Sequence, residues 1–196
     1  EGKGLHTGLH IHATFLPAEE NTGIRICRTD LEGRPTYEAI ADYVTATERG
    51  TVLERGAWKV STVEHALSAL YALGVDNCLI EVDGPEMPIL DGSAKFYIKA
   101  IQQVGLQEQK AEQKVFMVTE PIEYLSEHGN KMLILPSDKY EVEITISYPS
   151  SSFLREQKAE LNDLSEYTRE ISSARTFCFV REIEPLLRMG LIKGGD

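Results

Sequence analysis

Apolar and polar positions alternate along Leu9-His10-Ile11-His12-Ala13-Thr14-Phe15, placing Leu9, Ile11, Ala13 and Phe15 on one face and both histidines on the other, which predicts a half-buried strand. His10-x-His12 is a spacing that can grip a metal from one strand face. It is equally the ordinary polar outer face of a strand. A turn over 17–22 leads to a second strand over 23–28 and a loop over 30–35. Two short β-prone runs, Tyr43-Val44-Thr45 and Thr51-Val52-Leu53, flank Glu48-Arg49-Gly50 and predict a small hairpin insert within 43–60. From Val63 to Leu73 nearly every side chain is apolar or small, so a helix buried almost all round is expected, stopped by Gly74 in the left-handed position. A strand over 78–82, a loop over 83–88 and a helix over 94–104, with Phe96, Tyr97, Ala100, Ile101 and Val104 at helical spacing, close a first unit at Gly105.

The polar stretch 107–114 reads as a linker. Beyond it, strands are expected at 115–118, 131–135 and 140–148, a loop at Pro149-Ser150-Ser151-Ser152, a helix over 164–172, and a short helix over 182–189 ending at Gly190. Strands followed by helices therefore occur twice. The pattern predicts an α+β protein of two α+β layers related by duplication: residues 1–106, then the linker 107–114, then 115–196.

Composition narrows the function classes. The 196 residues are 42% hydrophobic and 26% charged, ordinary for a globular protein, and no apolar stretch approaches the ~20 residues that span a bilayer. A net charge of -11, without a basic cluster, removes the electrostatic footprint of nonspecific nucleic-acid binding. Cys27, Cys78 and Cys178 are odd in number and lack a Cys-x-x-Cys arrangement, so neither a disulfide framework nor a cysteine zinc site is indicated, and a reducing cytoplasm fits best. The chain opens at Glu1-Gly2-Lys3 without Met or an apolar signal segment, and it stops at Lys193-Gly194-Gly195-Asp196 in a turn-like run; a piece of a longer protein is expected. Oligomeric state is not legible.

The chemistry concentrates in Ser61-Thr62-Val63-Glu64-His65, which sets a carboxylate and an imidazole side by side where an apolar helix opens. A neutral imidazole can ligate zinc, and a carboxylate that does not ligate can take a proton from a water beside the metal. Two other readings compete. Ser61-x-x-Glu64 is also a capping box, and His65 is also a residue a core would hold against a carbonyl. No second histidine follows one turn later, so this is not the His-Glu-x-x-His helix.

Five segments in order, Gly4-Leu5-His6-Thr7-Gly8, Ser61-Thr62-Val63-Glu64-His65, Pro88-Ile89-Leu90-Asp91-Gly92-Ser93-Ala94, Ser173-Ala174-Arg175-Thr176-Phe177 and Lys193-Gly194-Gly195, give the chain a resemblance to the zinc-dependent UDP-3-O-acyl-N-acetylglucosamine deacetylases, bacterial enzymes of lipid A biosynthesis. The resemblance implies two similar α+β domains with the active site between them and a small insert in each, the hairpin around Arg49-Gly50 being the first and the segment from Cys178 beginning the second. It implies Zn2+ as cofactor and a UDP-linked acyl glucosamine as substrate. His65 then matches a zinc ligand, Glu64 the general base, and Thr176 the hydroxyl that steadies the oxyanion; His6 and Phe177 match residues lining the site. The family's other two zinc ligands, a His and an Asp, and its general-acid His would lie beyond Asp196. The second domain is thus expected to be incomplete within its insert, and the chain inactive alone, since a catalytic zinc normally takes three protein ligands and a water. A non-catalytic nucleotide-sugar or acyl-chain binding module, and one half of a fused two-activity lipid enzyme, are the alternatives.

Overall fold

A computed structural model of the chain describes residues 1–148, 154–190 and 192–194; the loop expected at Pro149-Ser150-Ser151-Ser152, and Gly195 of the last motif, lie outside the described residues. The architecture is α+β. The chain falls into two compact units, one formed by Glu1–Ala111 with the stretch that begins at Ser172, the other by Glu112–Ile171.

In the first unit, strand β1 (Gly2–Lys3) pairs antiparallel with β2 (His10–Ile11), bracketing the loop of residues 4–9. β3 (Ala13–Pro17), β4 (Ile24–Arg28) and β5 (Thr36–Glu38) follow. The alternating run expected as one strand is two, broken at His12, where the Asp83 carboxylate accepts the His12 amide at 2.7 Å in place of a ladder partner. β6 (Val44–Ala46), β7 (Val52–Arg55) and β8 (Trp58–Ser61) form a three-stranded antiparallel sheet. The expected hairpin therefore gains a third strand, because Gly56 (φ +60°) begins a two-residue turn and Trp58 and Val60 alternate with exposed Lys59.

Helix α1 (Glu64–Ala72) leads to β9 (Cys78–Val82), which enters the main sheet between β3, antiparallel to it, and β4, parallel to it, giving the order β3-β9-β4-β5. Cys78, Ile80 and Val82 point from β9 into the core. Helix α2 (Lys95–Val104) packs on α1 and sets the Tyr97 ring edge-on to Phe15 of β3, 5.9 Å between centroids. Ile26, Ile80, Ala66, Ala69, Leu70 and Ile98 are buried here, each large aliphatic contributing about 1.5–3 kcal/mol.

Trp58 links the small sheet to the main one. It is 1% exposed, donates from Nε1 to the Ile26 carbonyl at 3.1 Å, and meets Tyr37 and Tyr43 edge-on, while the Arg55 guanidinium lies 4.8 and 5.2 Å from those two ring centroids. Trp58→Ala should destabilise this unit by about 3–5 kcal/mol, read as a lowered midpoint of thermal unfolding followed by circular dichroism. A loss below about 1 kcal/mol would mean that the two sheets do not depend on this contact.

The remaining stretch of this unit contributes helix α4 (Val180–Arg188), so residues from Ser172 onward cluster with residues 1–111. In the second unit, β10 (Ile122–Leu125) pairs antiparallel with β11 (Lys131–Ile134), and β12 (Val142–Ile146) with β13 (Gln157–Leu161). Residues 115–118, expected as a strand, are not one; the partner of β11 is Ile122–Leu125, whose register is set by the turn in which Ser126 N donates to the Asn130 carbonyl at 2.8 Å. β13 has no apolar alternation to announce it and is held by cross-strand pairing, including Lys158 to Glu143 at 3.2 Å. The helix expected over 164–172 is a 3₁₀ turn, Leu164–Glu166, and one helical turn, α3 (Tyr167–Glu170). No helix among the described residues is long and apolar enough to cross a membrane.

Candidate active site

The start of α1 excludes the capping reading of Glu64. Ser61 is the last residue of β8, and its hydroxyl donates to the Pro85 carbonyl at 3.2 Å. The N-cap is Val63, in helical conformation and with no side-chain cap. No capping box forms, because the strand runs on to Ser61 and the backbone reverses through Thr62 in the left-handed region (φ +58°). Glu64 turns instead to the β6–β7 connection, where its Oε2 accepts the Thr51 amide at 3.0 Å. Gly50, next to Thr51, has φ +155°, a backbone conformation that residues with a side chain rarely adopt.

Beneath this turn lies a residue that the sequence reading passed over as part of a loop. Glu86 is 0% exposed and accepts four hydrogen bonds: from His6 N (3.0 Å) and Thr62 Oγ1 (3.1 Å) at Oε1, and from Thr7 N and Thr7 Oγ1 (both 2.9 Å) at Oε2. It thereby joins the loop of residues 4–9 to the strained residue two places before Glu64. Gly4 packs so closely on Glu86 Oε2 that a Cβ there would collide with it. The weak signal in the sequence was an acidic residue inside the otherwise apolar, proline-flanked run Pro85-Glu86-Met87-Pro88-Ile89.

The other expected site residues fall around these anchors. His6 is half-buried, and its Nε2 donates to the Arg49 carbonyl at 3.2 Å, on the connection that also holds Glu64. The amides of Lys193 and Gly194 both donate to the Leu5 carbonyl at 3.1 Å, so the described part of the last motif packs against the first. Thr176 is exposed, with its amide bonded to the Gly92 carbonyl at 2.8 Å, and the neighbouring Phe177 is 58% exposed. His65 is half-buried, and among the described residues its ring has no hydrogen-bonding partner, unlike a core histidine satisfied by a carbonyl. The described contacts thus connect Glu64 with His6 through residues 49–51, and Thr176 with the Asp91–Gly92 turn; none ties Thr176 or Phe177 directly to Glu64 or His65.

Two titrating groups reflect this packing. Burial pushes the Tyr97 hydroxyl well above the ordinary phenol range, aided by the Glu64 charge, and the hydroxyl donates to the Pro88 carbonyl at 2.5 Å. At Asp91, burial raises the carboxyl, but bonds from the Ser93 hydroxyl and amide, with the charges of Arg175 and Lys95, outweigh it and hold the group below its ordinary range. A depressed carboxyl stabilises the fold above its ordinary range, and that contribution is lost as pH falls through the lowered value.

One imidazole is a sound zinc ligand, and the ring of His65, without a hydrogen-bonding partner among the described residues, fits that part. The described residues that gather three candidate donors lie elsewhere, at Glu1, His10 and His12. Cys27 and Cys78 are buried free thiols and Cys178 is an exposed one.

Over residues 1–196 the chain matches the family described as LpxC: UDP-3-O-acyl N-acetylglycosamine deacetylase. It is 52% identical over its whole length to a bifunctional enzyme LpxC/FabZ of Bacteroides thetaiotaomicron and 53% identical to one of Porphyromonas gingivalis, spanning 42% of each. It is 39% identical to a UDP-3-O-acyl-N-acetylglucosamine deacetylase of Bdellovibrio bacteriovorus, spanning 65% of it.

Proposed function

The chain belongs to the LpxC family of UDP-3-O-acyl N-acetylglycosamine deacetylases, and from that premise we propose that the whole protein hydrolyses the N-acetyl group of a UDP-3-O-acyl-N-acetylglucosamine, releasing acetate, in bacterial lipid A biosynthesis in the cytoplasm. The observation that carries the reading is the pairing at the start of α1: Glu64 is committed to the Thr51 amide rather than to a helix cap, beside an imidazole whose ring bonds no group among the described residues.

An acetamide is a poor electrophile, so its hydrolysis needs a polarised carbonyl, an activated water and donors for the developing charge. Zinc, which His65 would hold, supplies the Lewis acid when bound. Glu64 takes the proton of the attacking water. Its Oε2 is fixed by the Thr51 amide, which leaves Oε1 as the basic atom. The Thr176 hydroxyl donates to the oxyanion, and His6 and Phe177 line the substrate path. A catalytic zinc site takes three protein ligands; the other two, and the acid that protonates the leaving amine, are not among the residues this reading assigns. The family reading takes residues 1–106 as the first of two similar α+β domains and 115–196 as part of the second.

His65→Ala in the whole protein should remove one equivalent of bound zinc and abolish acetate release, because a tetrahedral site short of one of three protein ligands is under-filled. Metal content of the purified variant decides it. Undiminished zinc would return His65 to a structural role and favour a binding module instead. The bifunctional relatives favour a second reading, in which the polypeptide carries a further lipid-enzyme activity next to this one. A purified whole protein that shows acetate release as its sole activity would exclude it.

A further inference from the structure

We propose that Glu1, His10 and His12 form a binding site for a first-row divalent metal ion at the base of the loop of residues 4–9, separate from the Glu64–His65 pair. One ligand atom from each residue lies within 4.8 Å of the others. The β1–β2 ladder explains the gathering. Lys3 pairs with His10 and Gly2 with Ile11, so the next position sets Glu1 opposite His12, on the face away from buried Ile11. His10 and His12 are two apart on that face, ring centroids 5.2 Å from each other, and Glu1 Oε2 is 3.1 Å from His12 Nε2.

A second carboxylate prepares His12 for the task. Asp83 grips the His12 amide with Oδ1 and its ring Nδ1 with Oδ2, both at 2.7 Å. A carboxylate on Nδ1 fixes the ring tautomer and orientation and leaves Nε2 as the ligating atom, the arrangement usual behind metal-bound histidines. Two imidazoles and a carboxylate suit zinc, cobalt, nickel or copper rather than calcium or magnesium. Ligands of a tetrahedral zinc stand about 3.3 Å apart at ordinary bond lengths, so the three exposed side chains need only small rotations to close on the ion. Two carboxylates, against the nearby ammonium of Lys3, leave the cluster suited to a cation. The bound ion would clamp the two ends of the loop that carries His6.

The test is calorimetric titration of the full chain with Zn2+, in a His65→Ala background so that the candidate active-site ligand does not contribute. One binding event is expected. His10→Asn, which leaves the Asp83–His12 grip intact, should weaken it at least tenfold, Asp83→Asn about 10–100-fold, and His128→Asn, at an exposed turn in the other unit, not at all. Absence of zinc uptake, equal affinity in His10→Asn, or an equal loss in His128→Asn would overturn the proposal. Because His10 is exposed and its substitution opens no cavity, unfolding of the metal-free variant should match the parent, so a lost site is not mistaken for a lost fold.

Discussion

Glu64→Gln in the whole protein should leave zinc content intact and lower deacetylation by about 10²–10⁴-fold, the usual worth of a general base. The amide keeps the shape of the side chain, and its carbonyl oxygen still accepts the Thr51 amide that fixes the carboxylate in the native chain. What disappears is the basic Oε1. Since no capping bond runs from Glu64 to the helix start, stability should change little, which separates this variant from one that simply unfolds the site. Steady-state acetate release and metal analysis on the same preparation check it. Near-normal turnover would remove Glu64 from the chemistry, and loss of zinc along with activity would recast it as part of the metal site.

Glu86→Ala should destabilise the first unit on the scale of Trp58→Ala, costing more than about 3 kcal/mol. It leaves two backbone amides and two hydroxyls without their shared acceptor, each buried unsatisfied donor being worth about 1–3 kcal/mol, and opens a cavity as well. Glu86→Gln should cost less, yet still more than about 1 kcal/mol, because the amide nitrogen faces donors where the carboxylate oxygen accepted them. Trp58 is the chain's only tryptophan and belongs to this unit, so its fluorescence during urea unfolding reports the loss without interference from the other unit. A Glu86→Ala chain with an unchanged midpoint would show that the loop of residues 4–9 does not depend on this carboxylate. In the whole protein the Gln variant should also lose activity, since the loop it loosens carries His6 and Thr62 immediately precedes the Val63-Glu64-His65 run.

The local elements were legible wherever near neighbours decide them. The helix over Glu64–Ala72 announced itself by its apolar run and Gly74, the Cys78–Val82 strand by its β-branched and apolar residues, and the helix ending at Gly105 by periodicity. The adjacency of Glu64 and His65 is likewise a property of the chain, and with the four other segments it was enough to place the family. The sequence left the role of Glu64 open between cap and base, because a Ser-x-x-Glu spacing does not reveal whether the strand before it ends early or late. Tertiary structure removed the capping reading by running β8 to Ser61 and presenting the Thr51 amide, thirteen residues away, to the carboxylate.

Pairing partners were the other thing that local pattern did not carry. An apolar run at 115–118 looked like a strand but is not one, whereas polar Gln157–Leu161 is a strand because β12 lies beside it. Likewise, an acid in a proline-flanked loop is ordinarily solvated, and Glu86 is buried only because the fold brings His6 and Thr7, some 80 residues earlier, onto its oxygens. Short-range preferences and periodicity therefore determined which segments are helix or strand and which residue types meet in the motifs. Hydrogen-bond satisfaction between distant segments, which exists only once the chain is folded, decided that Glu86 is buried as a shared acceptor and that Glu64 bonds the Thr51 amide rather than capping its helix.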